Sequence, residues 1–267
     1  MTDTVDIADA LVRGLRRTVA RSGLAIVGLV YLLGVVSGLF GPARPADGPS
    51  APPGFPGDTG TVAFPDPVVA VPSVVAAFVG FLSSLALLVV AIGAVRTFLT
   101  DERDALPPNA FTRRLGPAFL NAFLGFVLFA IVTAVGFALL VVPGILLVAT
   151  LGFWIVFVVD ADESFVDGFR RSWELTRGHR LRLSVLVLLV LVVTVPINLF
   201  FSVVGIGLGN LSPLLGVLVG QSGRAFVTVF VWATLAATYR QLAEEDDATP
   251  DVVDDDAGDD GEWKFDP

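Results

Sequence analysis

Long apolar runs alternate along this chain with short polar segments that carry most of its arginines. A helix needs about 20 mostly apolar residues to cross about 30 Å of hydrocarbon at about 1.5 Å per residue. Runs of that order occupy residues 22–40, 71–99 and 183–201, and a last one leads from Pro213 to the neighbourhood of Tyr239. From Pro117 to Val159 the chain stays apolar for 43 residues. One helix of that length would reach about 65 Å, twice the hydrocarbon thickness. Val142-Pro143-Gly144 resolves the excess, since Pro followed by Gly suits the central positions of a type II turn. Spans at 117–142 and 145–160 are therefore expected to form a helical hairpin. The predicted fold class is all-α, a polytopic transmembrane bundle of six spans plus two interfacial amphipathic helices.

Those two helices have a different pattern. Residues 3–20 begin with Asp3, Asp6 and Asp9 and end with Arg13, Arg16 and Arg17, an order that matches the helix dipole. Ile7, Leu11 and Leu15 recur every four residues, one face of a helix on a membrane surface. In residues 162–178, Phe165, Phe169 and Trp173 share a face while Arg170, Arg171, Glu174 and Arg177 lie elsewhere. Ser164 and Asp167 have capping-box spacing, and Gly178 suits the stop. The first span, 19 residues, exceeds a signal peptide's apolar region of about 7–15 and reads as a retained anchor. Its Gly34 and Gly38 have GxxxG spacing, which arises by chance in Gly-rich spans and is read so here. Residues 41–67, with eight prolines and five glycines, are expected to be an external flexible loop without ladder or helix. A kink is expected at Pro196 and a turn over Gly205–Asn210. The domain reading is a cytoplasmic amphipathic helix at 1–21, a membrane domain at 22–241 and a disordered acidic cytoplasmic tail at 242–267.

Composition agrees with a membrane chain: 54% of residues are hydrophobic, 16% are charged, and mean hydropathy is +0.79. Charged residues make up about 25% of ordinary soluble domains. The net charge of −9 comes from the tail, where residues 242–267 hold twelve acids and one base. Six spans place 15 of the 17 bases on one side, Arg44 alone on the other, and Arg224 within a span. The positive-inside rule then puts both termini in the cytoplasm, at the cell membrane.

Ser172-Trp173-Glu174-Leu175-Thr176-Arg177-Gly178, after a Pro-Gly hairpin and a short span, carries a family likeness, as does Tyr239-Arg240 at the end of the last span. Over roughly 110–242 the chain resembles the six-span membrane domain beside some bacterial glycerophosphoryl diester phosphodiesterases. It also resembles uncharacterised stand-alone membrane proteins of halophilic archaea. The resemblance implies a membrane domain and no activity, because the phosphodiesterase reaction belongs to a separate soluble barrel. Sixteen Arg against one Lys, with an Asp-rich tail, likewise resembles the composition of halophiles that keep salt inside.

Candidate chemistry is sparse. The chain has no Cys and a single His, His179, read as a solvated loop residue, so no metal or cofactor is expected. It has no Gly-x-Ser-x-Gly elbow, P-loop, intramembrane Asp pair or His-Glu metal motif, and it is not expected to be an enzyme. Arg170, Arg171, Trp173, Arg177, Arg180 and Arg182 suit anionic lipid headgroups, against the alternative of a cluster that only sets topology. Arg224 is the costliest residue, about 2.5–3.5 kcal/mol for a base at mid-span. It either snorkels to the surface or, with Gln221, Thr228 and Asn198, lines a polar cavity. Membrane lipids are the expected partners, and nucleic acid is not. Glu262-Trp263-Lys264-Phe265-Asp266, residues 262–266, is a candidate motif for a cytoplasmic protein partner. The leading functional reading is a structural, assembly or envelope-homeostasis role with lipid contact. The rival is a small transporter or channel subunit built around Arg224.

Overall fold

The structure is a computed structural model that describes residues 6–42, 66–100, 111 and 113–248, the last four by backbone alone. The tail beyond 248, including the 262–266 motif, and the loop over 43–65 lie outside the described residues. Among the described residues the chain is all-α apart from one short ladder. Six helical spans among them are long and apolar enough to cross a membrane. They are α2 (Arg21–Leu39), α3 (Ser73–Leu99), α4 (Leu115–Leu139), the pair α5 (Val141–Leu151) and α6 (Trp154–Asp160), α8 (Arg180–Gly209) and α9 (Pro213–Ala248). Two shorter amphipathic helices accompany them, α1 (Ile7–Val19) and α7 (Phe165–Leu175). In α3 and α8 only 17% of the most apolar window is buried inside the protein. Leu188, Val192, Val195, Leu199 and Phe200 of α8 all point outward. So large an apolar surface requires hydrocarbon around it.

The hairpin forms, but its turn lies earlier than Pro143-Gly144. The helix breaks at Leu140, which is extended at φ −164° and ψ 153°, and α5 begins at Val141. Pro143 therefore sits in the first turn of α5, where a missing N–H forfeits no helical bond. Gly144 faces Phe137 and the backbone of Gly136, and this brings the two arms close together. The predicted turn over Gly205–Asn210 is also displaced. Helix α8 runs on through Gly209, and only residues 210–212 separate it from α9. Gly205, Gly209, Gly216 and Gly220 meet backbone to backbone, and this lets the two longest helices converge where a turn was expected. Pro196 lies inside the continuous α8.

Two boundaries of the external loop and tail also differ from expectation. Phe40–Pro42 (β1) pairs in parallel with Val69–Val71 (β2), so Gly41 and Pro42 belong to a ladder rather than to a loop without one. The pairing places Pro42 at the strand end, where its missing donor is tolerated. Helix α9 continues past Tyr239 to Ala248, so residues 242–248 are helical and not a disordered tail. The cause is α1. Leu242 is buried among Ala10, Phe153 and Leu183, and the Gln241 amide donates to Asp9 at 2.8 Å.

Helix α1 is capped by Asp6, whose carboxylate accepts from the N–H groups of Ala8 and Asp9. Its buried stripe is Ala10, Gly14 and Thr18, with Ile7 and Leu11 partly covered. Leu15, assigned to that face from its spacing, is 46% exposed and joins Val12 and Val19 on a second apolar flank. The helix thus has one side on the bundle, one exposed apolar side and one polar side with Arg13 and Arg16. Arg17 reaches the end of α3 and donates to the carbonyls of Phe98 (2.9 Å) and Thr100 (2.5 Å). Arg96 does the same at the end of α6, donating to Val159 O at 3.2 Å, and it also donates to Arg113 O in the turn before α4 at 2.7 Å. These guanidinium groups satisfy carbonyls that every helix terminus leaves without a partner.

A Cβ at Gly14 would run into Thr234 of α9. Gly14→Val is expected to cost about 1–3 kcal/mol and to loosen α1. Hydrogen exchange in detergent should then accelerate across residues 7–19 while residues 213–230 keep their protection.

Candidate functional site

The first candidate lies at the arginine-rich end, where α7 meets α8. Its sequence folds as the capping signals predict: the Ser164 hydroxyl accepts from Asp167 N–H, and Gly178 ends the segment at φ +88°. Of the three aromatics assigned to the apolar face, Phe165 and Phe169 pack on the bundle and Trp173 does not. Gly168, Ser172 and Thr176 are buried at four-residue intervals. Ser172 Oγ donates to the Thr150 carbonyl at 2.8 Å, and Thr176 Oγ1 lies 3.4 Å from the same oxygen. That carbonyl sits where the fourth span breaks between Leu151 and Trp154. The Ser-Trp-x-Leu-Thr-x-Gly segment is therefore first a clamp: two hydroxyls on an interrupted span, followed by a glycine stop. Phe169 stacks on Trp154 with ring centroids 5.1 Å apart, while Trp173 stays 39% exposed.

The predicted basic cluster is only partly free. Arg170 pairs with Glu174 at 3.1 Å and Arg171 with Glu163 at 3.1 Å. Arg180 lies over the Trp173 ring at 3.9 Å, a cation–π geometry. The side chains of Arg177 and Arg182 are exposed and make no ion pair or hydrogen bond among the described residues. Arg177, Arg180 and Arg182, close to Trp173 in sequence, are thus three bases that form no ion pair with a carboxylate among the described residues.

The second candidate surrounds Arg224, at the end of the bundle that carries the ladder. Two cavities share Arg224 and Gln221. One, about 210 Å³, lies between α2, α3 and α9, with Leu33, Ser37, Ser83, Leu87 and Thr228 on its walls. The other, about 390 Å³, lies between α8, α9 and the chain before β2, with Asp66, Ser202 and Gly205 on its walls. Gln221 lies along Gly34 and Gly38, within about 3 Å of where a Cβ on either would stand. The GxxxG spacing of α2 therefore has a use: it makes room for this amide. Asn198 is not brought to the site. It donates to Thr194 O of its own helix at 3.2 Å and lines neither cavity. Below the first cavity Ile26, Val90, Ala94, Phe98 and Val229 fill the bundle.

Ser37, Ser83 and Asp66 were not expected in the site. Isolated serines in a span give no sequence signal, and Asp66 depends on how the loop returns. A valine at Gly34 would press on Gln221, so Gly34→Val is expected to cost about 1–3 kcal/mol in thermal unfolding. It should also slow alkylation of a thiol introduced as Leu87→Cys, by narrowing the cavity.

No curated protein and no solved structure matches this chain. A family does, over residues 5–242, a stretch that contains both candidate sites. The chain belongs to the family described as Domain of unknown function (DUF7847).

Proposed function

We propose that this is a non-enzymatic integral membrane protein with a structural or assembly role in the cell envelope, held in register by anionic lipid headgroups at its arginine-rich end. The observation that carries this reading is the Arg180–Trp173 stack flanked by the exposed Arg177 and Arg182. An indole at the membrane edge with uncompensated guanidinium groups around it suits a phosphate headgroup, each base contributing about 1 kcal/mol near a charged leaflet. The bias of bases supports a cytoplasmic location for this end and for both termini. The likeness to the membrane domain of glycerophosphoryl diester phosphodiesterases is compatible with lipid contact and brings no hydrolytic activity with it. Residues 262–266 would then recruit a cytoplasmic protein to the membrane surface. The reading as a transporter or channel subunit draws on the cavities beside Arg224. The packed residues beneath the first cavity favour the structural role.

In nanodiscs, raising the fraction of anionic lipid should raise the unfolding temperature of the wild-type protein. It should leave an Arg177→Gln, Arg180→Gln, Arg182→Gln triple variant nearly unmoved. The lipid-dependent gain should shrink in 1 M salt, where the Debye length is about 3 Å. Equal gains for both proteins would refute headgroup docking here. Because the chain has no cysteine, topology is tested by single thiols. Arg177→Cys in intact cells should resist an impermeant reagent, and Leu211→Cys at the other end should react.

A further inference from the structure

In hydrocarbon a hydroxyl on a helix normally bonds back to its own backbone. Thr97, Thr133, Thr194, Thr228, Ser84 and Thr238 all do so here, onto the carbonyl four residues earlier. Four polar side chains of the smaller cavity depart from this habit. Ser37, Ser83, Gln221 and Arg224 make no hydrogen bond or ion pair among the described residues, yet all line the same space. Asp66 borders the neighbouring cavity, has a partner of its own and does not pair with Arg224. A cation, an amide and two hydroxyls thus converge with nothing to bind. They come from three helices, and each forgoes a bond that bilayer depth makes costly to omit.

Depth and wall chemistry narrow the occupant. About 20 residues from each arginine-rich end mark the opposite membrane edge. By that count Arg224 and Ser37 lie about 5–7 Å below that edge and Ser83 about 10 Å. This is the level of the first acyl carbons, from which a guanidinium extends toward the headgroup phosphates, and the walls continue as Val30, Leu33 and Leu87. A guanidinium offers paired N–H donors that match two phosphate oxygens. The amide and the hydroxyls supply further donors, and the apolar wall suits an acyl chain.

We infer that this cavity is a phospholipid site in the leaflet at the ladder end. In it Arg224, Gln221, Ser37 and Ser83 hold the phosphate, and Leu33 and Leu87 hold the upper acyl chain. The site is separate from the arginine cluster around Trp173, which lies at the other end of the bundle, so either can fail without the other.

The test uses the full chain with a single thiol, Leu87→Cys, in detergent. Its alkylation is followed with phosphatidylglycerol, with diacylglycerol of the same chains, or with inorganic phosphate. Phosphatidylglycerol should slow the reaction at least tenfold more than diacylglycerol, and inorganic phosphate should give no protection. Arg224→Gln should abolish the advantage of the phospholipid. Arg224→Lys and the double variant Ser37→Ala, Ser83→Ala should each weaken it several-fold, providing readouts if Arg224→Gln does not fold. Equal protection by diacylglycerol, protection by inorganic phosphate alone, or undiminished protection in these variants would each overturn the assignment. Substituting Arg177 and Arg182 by Gln should change none of these rates.

Discussion

Lipid tails are as apolar as leucine, so two helices in a bilayer gain little by covering each other's hydrocarbon. What holds them is close contact between backbones and the few polar bonds that closeness permits. That constraint organises this molecule. Gly14 against Thr234, Gly125 against Trp154, Gly136 against Gly144 and Gly205 against Gly216 and Gly220 are among the places where neighbouring elements touch. The large apolar side chains largely point the other way. Both amphipathic helices follow the same rule, with Ala10-Gly14-Thr18 in α1 and Gly168-Ser172 of α7 with its C-cap Thr176 turned inward. Leucine, valine and tryptophan are left at their flanks.

Closeness of this kind leaves helix ends near one another, and the arginines exploit it. A base at the membrane edge is commonly read as a topology signal. Here the individual bases differ. Arg17 and Arg96 close off the carbonyls of neighbouring helices, Arg113 and Arg114 hold Asp162 at 3.3 and 3.6 Å, and Arg180 lies on an indole. Only some of the cluster remains without a carboxylate or carbonyl partner, so the headgroup contact proposed above would rest on Arg177, Arg180 and Arg182.

The spans, the hairpin and the capped start of α7 were legible because each rests on a local signal: a run of a given length, a Pro-Gly pair, a Ser–Asp spacing. What was misread required knowing the neighbour. Leu15 and Leu11 look equivalent on a helical wheel, and only the position of α9 decides which is covered. Gly205–Asn210 has the composition of a turn, yet the same small residues serve to bring α8 and α9 into backbone contact. Ser172 entered the sequence reading only as part of a motif and Trp173 as a member of the apolar face, yet the hydroxyl is buried and the indole is not. At the candidate site, Gln221, Arg224 and Thr228 followed from helical spacing alone. Asn198 failed because its amide had a closer acceptor one turn back on its own helix.

The two-strand ladder between α2 and α3 has a geometric corollary. Parallel partners start side by side, so the residue that opens β2 must stand next to the one that opens β1, close to where α2 finishes. Whatever path residues 43–65 take, the chain is obliged to come back to the rim of the bundle before it climbs a second time. This return brings Pro67 against Gly41 and sets Asp66 at the mouth of the larger cavity. The intervening segment can therefore lengthen or shorten at a cost that grows only logarithmically with its length. The rim, and the opening it frames, would keep their shape.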